Sequence, residues 1–593
     1  MKQTIKCLIA AFAAMLMSVA AFAQVTTSAL GGRIVDANGE PIVGAAVVAT
    51  HEPSGTVYGV ITNADGRYAI NGMRAGGPYK VEMSCLGYQT LAYTDVTLQL
   101  AETSALNGQL AEDSQMLGEA MVIAASASKF SAQKMGSATN ISSKDIVSVP
   151  TVSRSISDVT RLSPYGGNGM SFAGADGRTA NFTVDGANFN NNFGLSDNLP
   201  GGGNPISIDA IEEMQVVISP YDVRQTNFIG GGVNAITKSG TNTFKGSAYV
   251  YHRNENMRGN MAAGQEVSGA RDKDRSTTYG FTLGGPIIKN KLFFFVNAEY
   301  STTPTVVNRW HGSTDGVFNE DTHTSRTLIE DLKNVSEYVK KEYGYDTGSW
   351  TDFPATNTNF KVLARVDWNI NDAHKLAVRY NYTLNQVWKS ANASSMDGGT
   401  RSAFARFSEY GMSYANSLYS QDNLATSITL DLNSRITDNL HNQFLATFSK
   451  LDDMRGTNSA DFPFIDIRND DGKTVLPYIS LGYELFTWNN GVHNNNILVK
   501  DDLTYYAGNH KITAGVNYEY QMGRDAVEDE RYEKEFAYQQ ERDKVSDSQW
   551  EKQYAESVRQ FDKSYQLSAS KASGSSGGSG GDGGGDDDTG GAK

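Results

Sequence analysis

The sequence predicts a mainly β protein in three parts: a small β-sandwich domain, an α+β domain, and the N-terminal part of an antiparallel transmembrane β-barrel. Three observations lead there. Short strands with Asn-Gly and Asp-Gly turns open the chain, and a Gly- and Asn-rich mixed region follows. Beyond Thr243 come long amphipathic strands separated by alternately short and long connections.

Residues 1–23, MKQTIKCLIAAFAAMLMSVAAFA, have a basic start (Lys2, Lys6), an uncharged apolar run and the small-x-small ending Ala21-Phe22-Ala23. That is the form of a secretory signal peptide, so the mature chain is expected outside the cytoplasm. Cys7 goes with the signal, leaving Cys85 alone and no intrachain disulfide. Without Lys2 and Lys6, 49 basic residues face 66 acidic ones, a net charge of −17. An acidic chain without long basic clusters argues against a nucleic-acid partner. No later apolar run is long enough for a spanning helix. The overall hydrophobic content of 39% still suits a spanning barrel, because its strands alternate in polarity.

Residues 24–108 carry GRIVDANGEPIVGAAVVAT and TNADGRYAI, in which Asn38-Gly39 and Asp65-Gly66 each join two apolar runs as hairpin turns. This predicts the β-sandwich. A connector over 109–128 contains LGEAMVIAASAS, whose core, Glu119, Ala120, Met121, Val122 and Ile123, is a short β-prone segment among flexible residues. Such a segment can add as a strand to a partner's sheet edge; an ordinary edge strand is the plainer alternative. Residues 129–242 alternate short strands (NFTVDGA, EEMQVVI, GGVNAITK) with a helix-compatible SISDVTRL and long polar loops, which predicts a compact α+β domain rich in side-chain amides.

The barrel part is assigned to residues 243–570. In FKVLARVDWN, Phe360, Val362, Ala364, Val366 and Trp368 share one face, and Lys361, Arg365, Asp367 and Asn369 the other. Similar alternation runs through NKLFFFVNAEY, KLAVRYNY, NLATSITLDLN and KITAGVNYEY. Short Gly-, Asn- or Asp-rich connections alternate with long polar insertions, as periplasmic turns and external loops do in outer-membrane barrels. Residues 571–593 form a Gly/Ser/Asp-rich tail that reads as disordered.

Enzyme chemistry finds no footing, and no metal or cofactor is implied. GGGVNA (Gly230–Ala235) spells a dinucleotide fingerprint, but a turn and a strand follow where that motif needs a helix. H-E-x-x-H, G-x-S-x-G and G-x-x-x-x-G-K-[ST] do not occur, the eight His residues are scattered, and the Asp582–Asp588 cluster lacks EF-hand spacing.

Residues GGRIVDANGEPIVGAAVVA, TNADGRYAI and YKVEMSCLGYQT resemble the carboxypeptidase regulatory-like domain, an accessory module without catalytic residues. The order signal, sandwich, short β-prone box, Asn/Gly-rich domain and barrel resembles a TonB-dependent outer-membrane receptor of the Bacteroidota type. ADGRTANFTVDGANFNNNFGL, PISIDAIEEMQVVISPYDVRQTNFIGGGVNAITKSGTNTFKGSAYVYHRN and LGGPIIKNKLFFFVNAEY look like its Oar-like branch. The resemblance implies a barrel of 22 strands occluded by a plug, here residues 129–242. It makes LGEAMVIAA the TonB box, with Ala120 where the family more usually has valine. Glu119 to Ile123 would pair with TonB, energised by ExbB/ExbD, and pulling would remodel the plug.

The implied partners are TonB with its ExbB/ExbD complex, outer-membrane lipids, a peptide or other large nutrient, and a surface lipoprotein. Substrate contacts are expected on plug loops, at Arg178, Asn181, Asp185, Asn188, Asn190, Asn191 and Asn192. A competing role for these residues is to cap plug turns and fix the plug to the wall. A surface binding or adhesion protein, or an inactive truncated receptor, is the alternative to an importer. The chain offers about nine strands, with Gln560–Ala569 as a weaker tenth, against the 22 implied. Unpaired strand edges in lipid are costly, so a barrel must close. A fragment of a longer reading frame is favoured over completion by another chain, and a smaller closed barrel is disfavoured because about ten strands enclose too narrow a lumen for the plug.

Overall fold

The computed structural model describes residues 25–525 except residues 113–120, 125–135, 152–153, 168, 191–198, 200–203, 221, 223, 226–229, 258, 260, 263, 267–274, 392–405, 471–474, 488–489 and 509. The expected signal peptide, Glu119, Ala120, Asn191, Asn192, the tenth strand and the tail lie outside the described residues.

The sandwich follows the alternation in its sequence. One sheet has the order β4(Arg67–Met73), β1(Ser28–Val35), β7(Thr103–Ala105), and β8(Gly108–Gln109) also pairs with β1. The other runs β3(Thr56–Ile61), β2(Ala46–His51), β5(Gly76–Ser84), β6(Leu91–Leu98), β9(Met121–Ala124). In β2, Val47 and Ala49 lie opposite Met83 and Val81 of β5, and all four side chains are fully buried. Asp36 shapes the Asn38-Gly39 turn by accepting the amides of Asn38 and Glu40 at 2.9 and 2.8 Å. The sheets therefore reach beyond the 24–108 expected, taking in Gln109 of β8 and the whole of β9 from the connector.

The α+β domain is built on the five-stranded sheet β10(Gly136–Ser142), β13(Ile211–Pro220), β14(Gly232–Thr237), β11(Asn181–Val184), β12(Ala187–Asn188). Two short helices, α1(Ser143–Ser148) and α2(Ile156–Thr160), cover it, each started by a capping box, Ser142 with Asp145 and Ser155 with Asp158. The segment after Gly230 is thus a strand, as the rejection of the dinucleotide fingerprint required. Phe182, Ile156, Met214 and Val216 form the core, which continues into Phe295, Leu363, Ala425 and Leu451 of the neighbouring wall.

Among the described residues that wall is one antiparallel sheet of nine strands in sequence order: Lys245–Arg253, Ser276–Ile288, Leu292–Pro304, Thr356–Asn369, His374–Lys389, Tyr419–Arg435, Leu440–Thr457, Gly491–Ala507 and His510–Asp525. Residues 289–291, 370–373, 436–439 and 508–509 are the short turns, and 254–275, 305–355, 390–418 and 458–490 the long connections. The polarity is inside out. Trp368, Ile428, Tyr518 and Val516 are exposed by 46, 48, 61 and 55%, whereas Lys361, Arg365, Asp367, Arg379 and Asp431 are buried against the domain inside. An apolar outer band around a polar interior is what a wall facing lipid requires.

The long connections are less polar than their composition suggested. Residues 305–355, 390–418 and 458–490 share an apolar core that includes Leu332, Tyr414, Phe407 and Leu481, flanked by Trp310, Trp350 and Phe353. It carries α3(Ile329–Tyr343), ended by Gly344 at φ +69°, and a sheet of Met412–Ser413, Val475–Leu481 and Ile465–Asp470. Arg406 pairs with Asp466 at 2.8 Å and stacks on Phe464, stitching two of the connections together.

Candidate functional site at the junction of plug, wall and sandwich

The inner domain packs inside the wall like a plug, and beside their shared apolar core the seam carries a network of ion pairs. Asp185 and Gly186, at φ +51° and +85°, make the two-residue turn between β11 and β12, the hairpin that Asp-Gly favours. Gly186 has a left-handed φ that favours glycine, and a Cβ there would stand 2.8 Å from the tip of the Leu445 side chain, so this turn touches the wall. The Asp185 carboxylate accepts from the Thr237 amide at 3.0 Å and from its hydroxyl at 2.7 Å. It also lies 3.3 Å from Arg379 and 4.0 Å from Arg365 on two wall strands. Arg365 in turn forks onto Asp367 at 2.9 and 2.8 Å, and Arg379 reaches Asp431 at 3.4 Å. Alternating cations and carboxylates thus pass from plug to wall with none left alone.

A second tie lies farther from the short turns. Glu299 of the third wall strand is 3.0 Å from Lys361 and accepts from Ser207 and Tyr249 hydroxyls, both at 2.9 Å. Arg154 of the plug pairs with Asp209, lies 3.7 Å from Glu299 and stacks on Tyr251. Asn381 and Thr383 of the wall donate to the Pro205 carbonyl at 3.1 and 2.7 Å.

The sandwich sits across the short-turn end. Arg74 donates to Ser239 at 2.7 Å, approaches Asp367 to 3.8 Å and lies over the Phe293 ring. Asn369 donates to the Thr56 hydroxyl at 3.0 Å, Tyr506 to Asn71 at 2.8 Å, and the Asn242 amide to the Pro53 carbonyl at 2.8 Å. Thr26, just before β1, donates to Asp431 at 2.7 Å and so is wedged into the plug–wall seam. The three parts border an open cleft of about 410 Å³, lined among others by Arg74, Glu212, Lys238, Arg365, Asp367 and Arg379.

Leu100 fastens the sandwich to the plug. Its side chain is fully buried against Ala75 and Ile236. Its amide donates to Glu213 at 2.9 Å, and its carbonyl accepts from Gln215 at 2.9 Å and Asn140 at 3.1 Å. Burial pushes the Glu213 carboxyl up to about 8, against the opposing pull of the Leu100 amide. The folded protein therefore keeps a proton on Glu213 that the unfolded chain loses above about pH 4.5. Stability should fall by about 1.4 kcal/mol per pH unit between those two values. Glu213→Gln is expected to flatten that slope in thermal melts of the detergent-solubilised protein across pH 4–9.

The sequence-predicted contact residues are spread over this architecture. Asp185 is turned toward the short-turn end and held by Arg379 and Thr237. Asn181 accepts from Asn190 at 2.8 Å, Asn190 accepts from the Phe182 amide at 2.7 Å, and Asn188 accepts from the Asn190 amide at 2.8 Å, so these three brace the opposite end of β11. Arg178 lies in the 3₁₀ turn Gly177–Thr179 that leads into β11. Of the expected TonB box, Met121, Val122 and Ile123 lie in β9. Among the described residues no group of His, Cys, Asp and Glu is arranged to hold a metal ion.

Sequence reasoning missed Arg365, Arg379, Asp431, Glu299 and Leu100 as seam residues. The signal for the first four was the polar face of each wall strand: a charge at mid-strand in a barrel must face inward and find a partner there.

Comparison with known proteins agrees with this architecture. Residues 29–111 match the carboxypeptidase regulatory-like domain, and residues 236–310 and 330–574 match the outer membrane beta barrel domain. The chain is 24% identical over 390 residues to the TonB-dependent transporter Oar of Myxococcus xanthus, covering 63% of this chain and 34% of that protein. Among solved structures, the outer membrane transporter YddB from Escherichia coli aligns over 65% of this chain and 48% of its own, with TM-score 0.45 and 12% identity. The siderophore receptor PirA from Acinetobacter baumannii covers the same shares with TM-score 0.39 and 15% identity. The chain thus spans about a third of the length of the curated relative it matches. With more than half of its residues matched to that barrel model, the chain belongs to the outer membrane beta barrel domain family and is a homologue of a TonB-dependent transporter.

Proposed function

We propose that the chain belongs to an outer-membrane receptor that imports a large nutrient, of oligopeptide class, when TonB and its ExbB/ExbD complex pull on Glu119 to Ile123. The observation that carries this reading is the seam around Asp185: beside the apolar contacts to Phe295, Leu363, Ala425 and Leu451, the plug meets the polar face of the wall through ion pairs and hydrogen bonds, which water can replace as the plug shifts. The outer membrane holds no ATP, so force supplied through a strand-addition handle is the physical means of moving it.

In this reading Asp185 latches plug to wall and Asn181 frames the hairpin. Substrate contact falls on Arg178, Asn188 and Asn190, at the end of the plug away from the sandwich, and on Asn191 and Asn192, which follow them in sequence. Deleting Glu119–Ile123 should abolish energy-dependent uptake of labelled oligopeptides by cells carrying the full-length gene product. Uptake unchanged in that deletion would favour a surface binding protein.

A further inference from the structure

The short segment β9 does not stand apart from the fold. It pairs in parallel with β6 over four residues, Leu91 with Met121, Ala92 with Val122, Tyr93 with Ile123 and Thr94 with Ala124. It is the last strand of its sheet, and among the described residues its far edge pairs with no strand. Natural sheets blunt such edges with proline, charge or a bulge, and Met-Val-Ile-Ala has none of these. The opposite end of the same sheet, β3, is the end engaged with the wall, where Thr56 accepts from Asn369 and Lys375 lies 4.5 Å above the Tyr58 ring. Four strand spacings, about 19 Å, separate β9 from that contact, so a partner can reach the far edge without meeting the wall.

We infer that the sandwich presents Met121–Ala124 as an already extended edge, and that TonB adds its strand beyond β9 as the sixth strand of the sandwich sheet. This rests on the reading of the segment as the handle, and assigns the regulatory-like domain a role in partner docking. The open N–H and C=O groups on the far edge of β9 supply the recognition. The partner meets four residues whose backbone is already ordered, which spares it the entropy of ordering them. Pairing with β6 uses one edge of β9 and pairing with TonB the other, so the two contacts coexist.

The test is a reversible staple at the last paired position, Thr94→Cys with Ala124→Cys in a Cys85→Ser background of the full-length protein. Binding of the purified periplasmic domain of TonB to the detergent-solubilised protein is measured before and after reduction. The disulfide should form in the folded protein, and oxidised and reduced forms should bind within about twofold of each other. Failure of the disulfide to form overturns the pairing. Binding weakened more than about tenfold by oxidation shows that TonB must displace β6, and overturns the presentation. Deletion of Met121–Ala124 separates the two levels: unchanged binding in that deletion removes the handle assignment itself, whereas a defect confined to the oxidised staple removes only the sandwich's part in it.

Discussion

Asp185→Asn is expected to loosen the plug while leaving its fold intact. Asparagine tolerates the left-handed backbone at this turn and can still accept from the Thr237 amide, so the change removes charge and little else. Arg379 then keeps only Asp431, and Arg365 only Asp367, as carboxylate partners in a buried seam. Removing one member of a buried ionic cluster typically costs 3–5 kcal/mol, and because each arginine retains a second carboxylate the lower end, about 3 kcal/mol, applies. Cells expressing the variant should admit bulky antibiotics that the parent excludes, and protease should nick the plug of the purified variant sooner. Arg379→Gln should act in the same direction, and the double variant should fall short of the sum, because both changes break one interaction.

Ile428→Arg should block stable insertion. Ile428 lies midway along the sixth wall strand on its apolar face, level with Tyr380 and Phe448 of the adjoining strands. A guanidinium near the bilayer midplane of a barrel costs about 2–4 kcal/mol. The variant should lose heat-modifiable mobility in SDS gels and accumulate in the periplasm. Val317→Arg, at an exposed position in a long connection, should be neutral by the same measure.

Most of the wall was legible in the sequence because a strand in lipid must obey two rules at once, alternation along the strand and alternating lengths of connection between strands. FKVLARVDWN states the first rule outright, and the structure puts its Phe360 and Trp368 outside and its Lys361 and Asp367 inside. The seam was harder to see. Which inward charge meets which depends on register across several strands and on where the plug sits, and Arg379 and Asp185 are far apart in sequence. Leu100 carried no signal, since a lone leucine near the end of a sandwich strand looks like sandwich core. The connections misled in the other direction: Trp310, Trp350 and Tyr414 were diluted among polar residues, and only their convergence makes a core. Asp185 itself stands in an amide-rich stretch, which by sequence alone suggests substrate contact. The turn it occupies sends it toward the wall because Asp-Gly closes a tight hairpin there.

The central claim is an inside-out wall with lipid on one face and a plug on the other, and neighbouring residues of one strand test it most directly. Single cysteines at Ser427, Ile428, Thr429 and Leu430, in the Cys85→Ser background, can be spin-labelled in the full-length protein reconstituted in lipid vesicles. Accessibility to oxygen, which concentrates in lipid, should be high at Ile428 and Leu430 and low at Ser427 and Thr429. Uniform accessibility along the strand, or a maximum at Ser427 and Thr429, would contradict the account.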